Sequence, residues 1–354
     1  MQNTSSRVYY LDFLRCIACI AVVTIHVTAD YIVSASPANS AVLTSLIMNA
    51  LSRWAVPVFI MVSGAVLLNR YTSLAPVDLK GFYQKRIPRM LVLISAWSGI
   101  YIAWVHFFRH EAVTAKGILQ NVLMGNTFMH LYFLFLILGL YAVTPFLGAL
   151  LKMMKPRQVY VTITATLAAT ALWNFTFFFT NHNQPPSLNL MGQWIPYVGY
   201  YVAGYALLNI LRDRKITPAI AAAALLPSLF MVAALFVSRA YWGGTMYFYE
   251  YVTPLSILQA FGIFILGKML YDKLAGLSGN LLNERIGSFA SLTLGIYLVH
   301  IIILDLVRRF VLDGELGSSG YLVVGTIGLT ILISALLVKG LQFSKSARRY
   351  LIPE

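Results

Sequence analysis

Arg15 and His26 stand eleven residues apart in YYLDFLRCIACIAVVTIHVTADY, residues 9–31, a run that is otherwise almost wholly apolar. On a helix that interval is close to three whole turns, so the two side chains share one face about 16.5 Å apart along the axis. Asp12 lies one turn before Arg15 on the same face, where a carboxylate can pair with the guanidinium and lower the cost of holding both near a bilayer. The spacing suits a long donor with phosphates at one end and a reactive acyl group at the other, gripped by Arg15 and presented to His26. Coenzyme A has that shape. A neutral imidazole can take the proton from an acceptor hydroxyl as it attacks the thioester, which is general-base acyl transfer. His26 and Asp12 are therefore the catalytic candidates, and Arg15 a candidate for binding the acyl-CoA. The competing account is structural: Asp12 and Arg15 sit among headgroups, and His26 is hydrogen-bonded between helices.

A second basic group has the same use. In GFYQKRIPRM, residues 81–90, Arg86 and Arg89 are one turn apart ahead of an apolar run. Pro88 suits the first turn of a helix, so free backbone N–H groups at that terminus together with two guanidiniums would make a phosphate site. The plainer alternative is that these cations only orient the helix in the membrane.

The elements that must carry these residues are apolar. Of 354 residues 59% are hydrophobic and 11% charged, against roughly one-quarter charged in a soluble domain. That composition predicts an all-α, polytopic membrane protein of one transmembrane domain. Runs long enough to span fall near 9–32, 42–69, 82–108, 129–151, 159–180, 192–211, 216–238, 250–272, 286–310 and 320–344, ten helices in all. Connections alternate between basic and non-basic. Arg70, Lys80, Lys85, Arg86 and Arg89, then Lys152, Lys155 and Arg157, then Arg212, Arg214 and Lys215, then Lys268, Lys273 and Arg285, then Lys345, Arg348 and Arg349 share one side. The positive-inside rule makes that side the cytoplasm, with both termini there. The net charge of +14 is thus explained by topology, which argues against nucleic acid as a partner and for membrane lipids. Arg7 ahead of the first run resembles a signal sequence, but Arg15 interrupts its core, and the reading is a retained anchor. Cys16 and Cys19 lie in that run and read as small hydrophobes.

These residues carry a resemblance. Arg15 to His26 as R-x10-H, Arg86 to Arg89 as R-x-x-R, VPVFIMVSG at 56–64, MHLYFLFLILGLYAVTPFL at 129–147 and SLTLGIYLVH at 291–300 resemble, in order and over nearly the whole chain, the acyltransferase-3 family of bacterial membrane O-acyltransferases. The resemblance implies about ten transmembrane helices and a place in the bacterial inner membrane. It also implies acetyl-CoA as cytoplasmic donor, a hydroxyl of a surface glycan or lipid-linked saccharide as acceptor, catalysis through His26, and essential roles for Arg15, Arg86 and Arg89. The similarity is to the enterobacterial-common-antigen O-acetyltransferase type, without the SGNH hydrolase-like domain fused to some relatives. Tyr132 stands where relatives often have Trp, which touches acceptor specificity.

The remaining polar groups sort as follows. His130 and His300 join His26 in the outer half of the membrane; without a carboxylate companion the three are weak evidence for zinc, and no metal is expected. Hydrogen-bonding and orienting roles are favoured for both, with His130 the nearer to substrate. Arg53 reads as a snorkelling interfacial residue. SRAYWGGTMYFYEYVTP, residues 238–254, is an outer loop whose Tyr241, Trp242, Tyr247, Tyr249 and Tyr251 read as an interfacial belt or as a platform for sugar rings, with Glu250 accepting a hydroxyl hydrogen bond. His130, Tyr132, Trp242 and Glu250 are thus the candidate acceptor-binding residues. The competing functional classes are a secondary transporter of an anionic or sugar-like solute, for which two related halves with broken helices are expected and not found, and a membrane sensor or scaffold, which would leave His26 dispensable.

Overall fold

The computed structural model describes residues 7–34, 39–71, 74–181, 188–211, 217–241, 246–312 and 318–352, and statements of absence below refer to these. Regular structure in them is helical throughout: α1 (Tyr9–Ser34), α2 (Ser40–Ala50), α3 (Ala55–Leu67), α4 (Pro76–Phe107), α5 (Ala115–Leu123), α6 (Tyr132–Met153), α7 (Pro156–Thr180), α8 (Val198–Leu211), α9 (Pro218–Tyr241), α10 (Pro254–Ala290), α11 (Thr293–Phe310), α12 (Gly320–Leu341) and α13 (Lys345–Tyr350). Among the described residues eight helices are long and apolar enough to cross a membrane, or nine if the bent pair around Ser291 counts as one span. The run expected at 192–211 is a shorter apolar helix, Ile195–Leu211.

Helix α1 is the hub, packing on α2, α3, α10, α11 and α12. Its polar side chains are absorbed locally: the hydroxyls of Thr24 and Thr28 donate to the carbonyls of Ile20 and Thr24, the usual way for a buried hydroxyl to be satisfied inside a helix. The peripheral helices α4, α7 and α9 leave much more of their apolar surface uncovered, as helices facing lipid do.

Helices α3 and α8 approach until their backbones touch. A Cβ on Gly64 would lie 1.8 Å from the Tyr201 carbonyl oxygen, and one on Gly204 1.8 Å from that of Met61. Small residues at such a seam let two membrane helices gain dispersion contacts along their length. Gly64→Ala and Gly204→Ala should each cost about 1–3 kcal/mol through overpacking, read as a lower unfolding temperature of the detergent-solubilised protein. An unchanged transition would mean that this seam does not exist.

Three helix boundaries differ from expectation, each for a local reason. The second span is broken at Leu51–Trp54, because Pro57 in the first turn of α3 has no N–H for the Arg53 carbonyl four residues back and crowds it. Helix α4 begins at Pro76, not near 82, so Pro88 lies inside it. Pro76 occupies the N-terminal position that Pro88 was assigned, and polar residues continue the helix into the headgroup zone. Helix α10 continues to Ala290 in place of ending near 272, and breaks from α11 with a bend of 51°.

Candidate functional site

Arg15, Arg86 and Arg89 converge, with Arg7 and Lys85, on one cavity of about 600 Å³ at the end of the bundle where α1 begins. The bend between α10 and α11 supplies its opposite wall, Gly287, Ala290, Ser291 and Leu294. Two elements position the cations. On α1, buried Asp12 accepts from Arg7 Nε at 2.5 Å and lies 3.5 Å from Arg15 Nη1. On α4, Arg86 is wrapped by the rings of Tyr71, Phe82 and Tyr141, 5.2–5.4 Å from its guanidinium carbon, and donates to the Tyr71 hydroxyl at 3.4 Å while its Nε is buried without a partner. Burial would raise the pKa of the Tyr71 phenol, but the Arg86 hydrogen bond and the charges of Arg86, Arg70 and Lys85 outweigh it and leave it lowered. The field at this end is therefore strongly positive, and an anion with several charges is the ligand it fits.

This site corrects two expectations. Since α4 starts at Pro76, the backbone N–H groups at Arg86 and Arg89 lie within the helix, and what these residues offer an anion is their side chains, with no helix N-terminus to help. Asp12 belongs to the arginines and not to His26, from which fourteen residues of α1 separate it, about 21 Å along the axis. Its contacts are with Arg7 and Arg15.

A second cavity of about 280 Å³ shares Arg15, Arg86, Met90, Leu93, Tyr141 and Leu294 with the first and runs deeper between apolar side chains to Phe133 and Tyr297. Tyr297 is the inner wall. Its hydroxyl donates to the His130 carbonyl, and its ring centroid lies 5.4 Å from that of His130 and 6.0 Å from that of His300.

Behind Tyr297 the three imidazoles meet. Ring centroids are 5.1 Å apart for His26 and His300, 5.1 Å for His130 and His300, and 6.1 Å for His26 and His130. His300 Nδ1 lies 2.6 Å from the Tyr297 carbonyl. That contact places the proton on Nδ1 and leaves Nε2 as an acceptor, buried and without a protein partner. His130 is 1% exposed and lines neither cavity just described. It packs against Tyr101, Phe128, Tyr297 and the other two imidazoles. His26 is partly buried, whereas His130 and His300 are buried. Among the described residues no group of three or more His, Cys, Asp or Glu side chains has a metal-holding arrangement.

At the opposite end of the bundle, Tyr132 and Glu250 line a cleft of about 280 Å³ with Trp173, Tyr197 and the amides of Asn126, Asn174 and Gln193. The Glu250 carbonyl is pinned by Ser256 Oγ at 2.8 Å, at the start of α10. The inner and outer cavities share no lining residue. Tyr132 on the outer side and Phe133 on the inner are nevertheless chain neighbours. Trp242 lies outside the described residues. Tyr247 packs on Phe175, Phe178 and Phe179 of α7.

Arg53 was not anticipated as part of the site. In place of snorkelling it is 7% exposed, held at the Pro57-induced break. Its guanidinium carbon lies 4.6 Å from the Tyr251 ring centroid and 5.6 Å from that of Tyr249. The two tyrosines that hold it flank Glu250 in the sequence, and Glu250 lines the outer cleft. The only sequence signal was Pro57 four residues later, which marks a break where a charge can turn inward.

A protein-family model described as an acyltransferase domain matches residues 8–339. No curated protein and no solved structure gives a match.

Proposed function

Because the chain belongs to the acyltransferase-3 family over nearly its whole length and is a multi-pass membrane protein, we propose that this acyltransferase draws an acetyl group from cytoplasmic acetyl-CoA and transfers it to a hydroxyl of a cell-surface or lipid-linked glycan. The observation that carries this reading is the convergence of Arg15, Arg86 and Arg89 on one cavity that leads inward to Tyr297 and the imidazoles. The CoA phosphates bind the arginines, the pantetheine arm lies in the apolar vestibule, and Tyr297 swings aside to admit the thioester. The acceptor enters the outer cleft, where aromatic faces, amides and Glu250 match the stacking and hydrogen-bonding needs of a sugar. His26 takes the hydroxyl proton as the oxygen attacks the acyl carbon, then returns a proton to the departing sulfur. His300 and His130 orient the ring. Family membership favours this over a transporter, and the basic end of the bundle is assigned to the cytoplasm of a bacterial inner membrane on the positive-inside rule.

Phosphate recognition separates this account from non-specific binding of an apolar arm. CoA should raise the unfolding temperature of the purified protein, whereas pantetheine, which keeps the arm and lacks the phosphates, should not at equal concentration. Equal stabilisation by both would remove the arginines from donor recognition.

A further inference from the structure

Charged side chains this deep in a membrane bundle are expected to form an ion pair, and Arg53 makes none by direct contact. No carboxylate lies within ion-pair distance of it among the described residues; its one hydrogen bond is from Nη1 to Asn49 Oδ1 at 3.4 Å, and its Nε is buried with no partner. The same Asn49 amide donates to the Ile25 carbonyl at 3.3 Å and to Thr28 Oγ1 at 2.9 Å. Asn49 thus ties the guanidinium to the turn of α1 that carries His26. On the other side Tyr251 and Tyr249 hold it by their ring faces, an arrangement that steadies a cation without neutralising it.

A fixed cation with no direct ion pair, tied through Asn49 to the turn that carries the general base, has a defined use in acyl transfer. We propose that Arg53 is the oxyanion-stabilising catalytic group, an assignment that rests on the acyltransferase reading above. When the acceptor oxygen bonds to the acyl carbon and its proton passes to His26, the carbonyl π pair moves to oxygen. The resulting oxyanion is met by Arg53. Collapse re-forms the C=O bond and breaks the C–S bond, and the sulfur leaves with the proton held by His26, giving the O-acyl ester and CoA thiol. The charge is worth most where it is preorganised and water is excluded, and its N–H groups need no reorganisation as the oxyanion forms.

The test is acetyl-CoA hydrolysis by the purified protein, with water as acceptor and thiol release as readout. Loss of an oxyanion donor typically costs about 10²–10³ in kcat. Arg53→Gln should therefore lower kcat by that factor while leaving the KM for acetyl-CoA and the thermal shift by CoA unchanged. Arg53→Lys, which keeps the charge but not the fork, should recover part of it, and it decides the matter should Arg53→Gln fail to fold. Wild-type kcat in either variant, or a defect confined to KM, would overturn the proposal. His26→Ala, run in parallel, separates the two levels. If it hydrolyses acetyl-CoA normally, the acyltransferase mechanism itself fails; if it is inactive while Arg53→Gln is fully active, only the assignment of Arg53 fails.

Discussion

Replacing His26 with Ala should lower acyl transfer by about 10²–10⁴, the usual cost of losing a general base, with CoA binding retained. The separation of the two effects follows from geometry. His26 lies about three helical turns from Arg15 along α1, and the cavity that holds the cations has no wall in common with it. His300→Ala and His130→Ala should have smaller effects, because they touch His26 only ring to ring. The measurement is acetyl-CoA turnover by purified variants beside a CoA titration of each. Wild-type turnover by His26→Ala would remove it from the chemistry, and loss of CoA affinity in the same variant would show that the two regions are not separable.

The second large effect belongs to the donor. Arg86→Ala and Arg89→Ala should each weaken CoA binding by about 10- to 150-fold, the equivalent of one charge-assisted hydrogen bond of about 1.5–3 kcal/mol. Lys should substitute poorly at Arg86, whose planar guanidinium is wrapped by Tyr71, Phe82 and Tyr141, since an ammonium has neither the flat face nor the fork. At Arg89, which is exposed, Lys should serve better. CoA titration by calorimetry reads both, and unchanged affinity in all of these variants would reduce the arginines to topology signals.

What sequence could show of this site depended on whether the signal was periodic or tertiary. Arg15 and His26 were legible as a pair because an eleven-residue interval repeats the helical period. Arg86 and Arg89 were legible as a charged pair, but their helical setting was not. Pro88 fits a first turn as well as an interior kink, and only the start of α4 at Pro76 separates the two. The meeting of His26, His130 and His300 depends on how α1, the turn before α6, and α11 pack, and no local pattern encodes that. Arg53 shows the limit most plainly. A cation near the end of an apolar run has the same sequence appearance whether it snorkels outward or is folded in at a break, and the choice is made by Asn49, Tyr249 and Tyr251, two of which come from far along the chain. The fold class was legible from composition, whereas boundaries at α4 and α10 were not, because polar residues can extend a membrane helix into the headgroup zone without any change in its backbone pattern.

The central claim is that one acyl-CoA spans from the arginines to His26 by way of Tyr297. The most direct measurement is a structure of the protein bound to a thioether analogue of acetyl-CoA, in which the bond to be broken is inert. The account predicts phosphates within hydrogen-bond distance of Arg86 and Arg89, the arm between Phe133 and Leu294, the Tyr297 ring displaced, and the acyl carbonyl oxygen beside Arg53 with its carbon in reach of a hydroxyl held by His26. An analogue bound with its phosphates away from these arginines, or with its acyl end in lipid while Tyr297 still closes off the imidazoles, would contradict it.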